Sequence, residues 1–200
     1  MNGKKIAFFD FDGTITTKDS WLEIIKFQTG RLAFYTGFIL NLHWLIAYKM
    51  KLLPNDRAKE KLLTYFFAGI PEPVFQEKCD LFAENKLPGL IRPEALAEIE
   101  ILRIRDFELV VVSASAGNWI RKWTSQLSLK LVATRLEVKN GLITGRIDGK
   151  NCHGRQKVVF IQEQWDLQSY DEIYVYGDTP ADKPMLALAT KSFYKPFREA

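Results

Sequence analysis

The sequence predicts an α/β fold: a parallel sheet core, a small all-helical block inserted after the first strand, and one β-hairpin. Three observations predict it. Apolar runs at Lys5–Phe9, Phe107–Val112 and Glu172–Tyr176 lack polar alternation, as strands buried on both faces do. Helical patterns separate these runs, and strands alternating with helices imply a parallel sheet. Finally, TRLEVKNGLITGRI, Thr134 to Ile147, alternates around Asn140-Gly141, a pair that favours a two-residue hairpin turn.

Each element has a local reason. After the first strand, Ser20 to Lys86 reads as helical throughout, broken at Gly30, near Pro54 and at Ile70–Pro73. Pro93 opens a helix to about Arg105, since proline suits a first turn. Helices are expected again at Asn118–Leu127, Lys157–Trp165 and Pro184–Leu188. No internal repeat or low-complexity segment interrupts this order.

A chain of 200 residues with 47% apolar content can bury a core of domain size. The net charge is +4 and the pI is near 9.0. Its Lys and Arg residues are scattered, without the basic stripe and interleaved aromatics of a nucleic-acid binder, so anions in general are the expected partners. Cys79 and Cys152 form no C-x-x-C pair and read as reduced thiols. Only four apolar residues lie between Lys5 and Asp10, too few for a signal-peptide core, so a cytoplasmic protein is expected. Seventeen residues from Leu32 to Tyr48 carry no charge. Two readings fit them: a buried or half-buried helix pair, or a surface that meets lipid or a lipid-like substrate.

Each buried strand runs into polar residues: Asp10 and Asp12, then Ser113, then Asp178 with Asp182 close behind. In open parallel sheets ligands sit beyond the carboxyl ends of the strands, so the three clusters should meet at one edge. Period-two geometry aims Asp10 and Asp12 to one side, and Gly13 frees the backbone to turn. Close carboxylates repel unless a cation relieves them, and with Asp178 as a third acid a hard divalent ion such as Mg²⁺ is the economical answer. Lys157 and Ser113 would then complete a cradle for phosphate.

DFDGTIT, Ser113 at a strand end, Lys157 and GDTPAD, in that order, resemble the four motifs of the haloacid dehalogenase-like hydrolase superfamily. The resemblance spans the whole chain. It implies a Rossmann-like sheet over residues 1–18 and 88–200, capped by helices at 19–87. It implies that Asp10 is the nucleophile and Asp12 the acid and base, and that Thr14, Ser113, Ala114 and Lys157 bind phosphate. Mg²⁺ would be held by Asp10, Asp178 and the backbone carbonyl of Asp12, with Asp182 fixing its water shell. Asp12 favours a phosphatase over a dehalogenase, and a silent binding module would be expected to have lost an acid or the lysine.

The helical insertion is similar to that of the phosphoserine phosphatase branch. SAS at Ser113–Ser115 and GDTPAD depart from the serine-glycine-glycine and GDGAND usual there. SAS with Trp119 and Ile120, NCHGRQK, and the tail FYKPF are closer to the subgroup containing phosphatidylglycerophosphatase C. That subgroup implies a lipid phosphate as substrate and work at the inner membrane surface. A small soluble phosphate such as phosphoserine is the alternative. Asp19 and Arg57 are the candidate substrate contacts from the insertion, each equally readable as a helix-start residue or a solvated charge. Cys152 and His153 read as loop packing and solvent contact.

Overall fold

The computed structural model describes residues 3–198. In chain order it contains β1 (Lys5–Phe9), α1 (Ser20–Thr29), α2 (Arg31–Leu40), α3 (Leu42–Lys49), α4 (Asn55–Phe67), α5 (Glu72–Asn85) and α6 (Pro93–Ile104). There follow β2 (Phe107–Ala116), α7 (Arg121–Gln126), β3 (Lys130–Lys139), β4 (Leu142–Asp148), α8 (Arg155–Gln162), β5 (Glu172–Gly177), α9 (Lys183–Leu186) and β6 (Lys191–Tyr194). The strands form one sheet in the order β4-β3-β2-β1-β5-β6, parallel except for the β3–β4 pair.

β1 is central, and its alternation splits the core in two. Ile6 and Phe8 point into a cluster with Val110, Val112, Val175 and Met185, while Ala7 and Phe9 face the larger cluster shared with the helical insertion. Burying each of these phenylalanines contributes about 2 kcal/mol. Phe9 stacks on Tyr176 at 4.4 Å, Tyr176 stacks on Phe193 at 4.4 Å, and Phe197 joins them at 5.5 Å. This aromatic column ties β1 to β5, to β6 and to the end of the chain.

Three elements differ from expectation. β2 runs on through Ser113 to Ala116, with its pairing to β3 shifting register between Ser113 and Ala116. β3 begins four residues earlier than the alternating pattern and pairs in parallel with β2 before it turns, at Asn140 (φ 53°) and Gly141 (φ 74°), into β4. β6 was not foreseen, because four residues of mixed polarity carry no readable period.

The insertion is helical, as expected. Its α4 sits directly on β4: a Cβ at Gly145 would lie 2.3 Å from Thr64 Cα and 2.4 Å from Thr64 N. Leu32–Tyr48 is a half-buried helix pair: Phe34, Gly37 and Asn41 are buried and Phe38, Trp44 and Leu45 partly so, while its outer face is open. Leu32 is 80% exposed and Ile39 71%, and α3 has no buried residue. Among the described residues no helix is long and apolar enough to cross a membrane.

Candidate active site

Matched registers bring the strand ends level. Phe9 pairs with Val111 on one side and with Tyr176 on the other, and the Asp10 N–H extends the ladder to Tyr176 O at 2.9 Å. The loop after Asp10 must then turn at once. Gly13 makes this possible: its φ is +84°, and a Cβ would fall 2.7 Å from Asp178 Oδ2.

Lys157 is the buried positive centre, 2% exposed, with Nζ 2.5 Å from Asp10 Oδ1 and 2.7 Å from Asp182 Oδ1. Asp182 Oδ2 accepts the Thr179 N–H at 2.9 Å and the Thr179 hydroxyl at 2.7 Å, so this acid both caps its turn and pairs with the lysine. The Thr14 hydroxyl lies 3.2 Å from Asp10 Oδ2 and 3.3 Å from Asp178 Oδ1, and its one proton serves either acid. The Arg198 guanidinium donates to Asp178 Oδ2 at 2.6 Å. Asp12 accepts the Ser20 N–H on Oδ1 at 2.6 Å and the Ser115 hydroxyl on Oδ2 at 2.5 Å.

Carboxylate oxygens of Asp10, Asp178 and Asp182, all buried, lie within 4.8 Å of one another. Burial raises Asp10 to about 7, with Asp182 and Asp12 adding to the rise, although Lys157 opposes it. Asp178 is raised by burial and by Asp182 despite Arg198. Burial alone would lower Lys157, but Asp10 and Asp182 together raise it and keep it an ammonium. Asp182, in spite of burial, is held low by Lys157 and Thr179. The cluster is therefore short of positive charge. An all-oxygen donor set of this kind fits a hard divalent cation.

A cavity of about 250 Å³ opens on this cluster. Asp10, Asp12, Ala114, Ser115, Lys157, Thr179 and Asp182 line it from the sheet and its loops. Asp19, Trp21, Leu45, Tyr48, Ala58, Lys59 and Leu62 line it from the insertion, with His153 also on the wall. The arrangement offers a carboxylate beside a buried ammonium and a second carboxylate fixed by two donors. That is equipment for covalent capture and proton transfer on an anionic substrate.

Of the residues singled out in the sequence, Asp10, Asp12, Asp19, Ala114, Lys157 and Asp182 reach the cavity wall, while Thr14 and Asp178 join the cluster without lining it. Ser113 does not line the cavity either. It is fully buried, and its Oγ accepts the Ser115 N–H at 3.0 Å, a consequence of the bulge in β2. Arg57 pairs with Glu60 at 3.2 Å in solvent and is absent from the wall. Residues two apart on a helix point to nearly opposite sides, so Lys59 enters instead, donating to Ala114 O at 2.6 Å. Sequence reasoning missed Lys59, the contact of Ser115 with Asp12, and Arg198. Cys152 is fully buried and burial pushes its thiol up to about 12, which agrees with a packing role.

Comparison with known proteins adds four findings. The family model described as haloacid dehalogenase-like hydrolase matches residues 7–187. Protein CicA of Caulobacter vibrioides (strain NA1000 / CB15N) is 33% identical over 200 residues, covering 96% of this chain and 86% of that protein. Among solved structures, a protein of unknown function from Bordetella pertussis Tohama I superposes with a TM-score of 0.82 at 20% identity, over 96% of this chain and 89% of that one. A phosphoserine phosphatase solved as a phospho-aspartyl intermediate analogue gives 0.63 at 20% identity, over 96% and 86%. At these identities the structural likenesses are likenesses of fold.

Proposed function

Because this chain belongs to the haloacid dehalogenase-like hydrolase family, we propose that it is a Mg²⁺-dependent phosphomonoester phosphatase that works through an aspartyl-phosphate on Asp10. The observation that carries the reading is the pairing of two differently held carboxylates at one cavity: Asp10 against Lys157 in the buried acid cluster, and Asp12 fixed by Ser20 and Ser115. Residues 1–18 and 88–200 would form the catalytic core and 19–87 the cap.

In this reading an Asp10 carboxylate oxygen attacks phosphorus. The bond from phosphorus to the ester oxygen breaks, and Asp12 gives that oxygen its proton, releasing an alcohol. Asp12 then takes a proton from a water whose oxygen attacks the same phosphorus. The bond to Asp10 breaks and inorganic phosphate leaves. Lys157, with the Ala114 peptide, would hold the phosphoryl oxygens and offset their charge against Asp10, while Thr14, bonded to the acids, and Ser113, bonded to the Ser115 N–H, would act from behind the cavity wall. Asp10, Asp178 and the Asp12 carbonyl would hold Mg²⁺, with Asp182 beside them, and the ion would supply the positive charge the cluster lacks.

A substrate with an apolar tail, a lipid phosphate such as phosphatidylglycerol phosphate, is favoured by one observation. Leu45 and Tyr48 of α3 wall the cavity, and the same helix pair continues outward as the exposed Leu32, Ile39, Leu42 and Ile46. The protein would then work at the membrane surface. Phosphate release with and without Mg²⁺ tests both levels, using phosphoserine, sugar phosphates, phosphatidylglycerol phosphate and lysophosphatidate. Asp10→Asn should lose about 10³-fold or more in turnover. Retained turnover in that variant would sink the mechanism, and turnover confined to soluble phosphates would sink the lipid substrate.

A further inference from the structure

Trp119, Ser20 and Ser115 form a chain of hydrogen bonds that ends on Asp12. Trp119 Nε1 donates to Ser20 Oγ at 3.0 Å, Ser20 Oγ to Ser115 Oγ at 3.2 Å, and Ser115 Oγ to Asp12 Oδ2 at 2.5 Å. Its direction follows from proton arithmetic. An ionised carboxylate can only accept and each hydroxyl has one proton, so Ser115 spends its proton on Asp12, Ser20 must then supply its own to Ser115, and the Trp119 N–H, which can only donate, occupies a lone pair of Ser20. Trp119 and Ser20 are fully buried and Ser115 is 1% exposed, so water does not compete for these protons.

The chain joins parts of the fold that are far apart in sequence. Ser20 opens α1, Ser115 lies within the bulge in β2, and Trp119 follows it in a short turn. The Ser20 N–H holds the other Asp12 oxygen at 2.6 Å. Each carboxylate oxygen thus carries one fixed donor and keeps a lone pair for chemistry.

We propose that Ser115, oriented by Ser20 and Trp119, is the positioning residue that aims Asp12 at the leaving-group oxygen. This rests on the reading of Asp12 as the acid for that oxygen. A chain that merely stapled α1 to β2 would affect all substrates alike. A positioning chain affects most those whose leaving group needs a proton.

The test compares kcat/KM for an alkyl phosphate, whose alkoxide must be protonated as it leaves, with kcat/KM for p-nitrophenyl phosphate, whose leaving group needs little help. Ser115→Ala should lose about 10- to 100-fold on the alkyl ester and no more than a few-fold on the aryl ester. Ser115→Thr, which keeps the hydroxyl, should recover most of the loss. Trp119→Phe keeps a ring and removes only the N–H, so it should shift the ratio in the same sense by less, and it carries the test if Ser115→Ala does not fold. Equal losses on the two esters would overturn the proposal while leaving the phosphatase reading intact. Wild-type failure on both esters, or unchanged alkyl-ester turnover in Asp12→Asn, would overturn the underlying reading and the proposal with it.

Discussion

Within the one helical insertion, α4–α5 and α2–α3 have opposite relations to the rest of the molecule. Ala58, Leu62, Leu63 and Phe67 of α4 and Phe75, Cys79, Phe82 and Ala83 of α5 are all buried. Backbone bonds stitch the segment between these helices to the hairpin: Gly69 N to Ile143 O, Ile143 N to Ile70 O and Glu72 N to Gly141 O, each 2.9 Å. The Glu60 carboxylate also accepts the Ile147 N–H at 3.0 Å. By contrast, in the neighbouring α2–α3 stretch only Phe34, Gly37 and Asn41 are buried, although its composition is the more apolar. Apolar content therefore does not decide burial here. What decides it is whether the apolar positions form a stripe and whether a partner surface waits for it.

The sharpest way to break the α4 side is at Gly145. Gly145→Val meets a positive φ of +77° and the Thr64 backbone at once, neither of which can yield cheaply. A loss on the order of 3 kcal/mol or more is expected, read as a fall in the denaturant midpoint. Full stability in this variant would mean that α4 is not seated on β4 as described.

Lys59 provides the next test, because α4 carries it into the cavity. Burial lowers its pKa from 10.5 to about 8, with Asp12 and Asp19 opposing. Between those values the unfolded chain binds a proton that the folded one has released, so Lys59 makes stability rise with pH across the window of 8 to 10.5. Relative to Lys59→Met, wild type should gain on the order of 3 kcal/mol across it. A difference that is flat with pH would mean Lys59 is solvated and α4 stands off the cavity.

The same contrast explains what was legible in the sequence. The three central strands were readable because burial on both faces leaves an unbroken apolar run, and their polar ends converged because parallel registers leave them level. Asn140-Gly141 announced its turn by chemistry that needs no tertiary context. Lys59 was not readable, since choosing it over Arg57 requires the rotational phase of α4, which is set by Gly145 on a strand 86 residues further along the chain than Lys59. Ser115 was hidden by the bulge, which breaks the period-two rule that would have given Ser113 and Ser115 equal roles. Arg198 reaches Asp178 because Phe197 packs on Tyr176, a contact between residues with no shared local pattern.

The smallest stability effect is expected on the α2–α3 face, and it is also the most informative about substrate. Leu32 and Ile39, seven residues apart on α2, share one exposed side, flanked by Arg31 at the start of the helix, by Lys49 at the end of α3 and by Lys51 just beyond it. Leu32→Gln with Ile39→Gln removes no buried contact, so stability should change by less than about 0.5 kcal/mol. Apolar side chains with basic neighbours are also what an anionic bilayer surface retains, and two fewer of them should weaken sedimentation with anionic vesicles by about tenfold. Turnover of a short soluble phosphomonoester should be untouched, since neither residue walls the cavity. Unchanged stability with unchanged vesicle binding would leave α2–α3 without a lipid role and remove the main support for a lipid phosphate as substrate. A large loss of stability would instead show that this face is covered in solution and that the two halves of the insertion are less different than their exposures indicate.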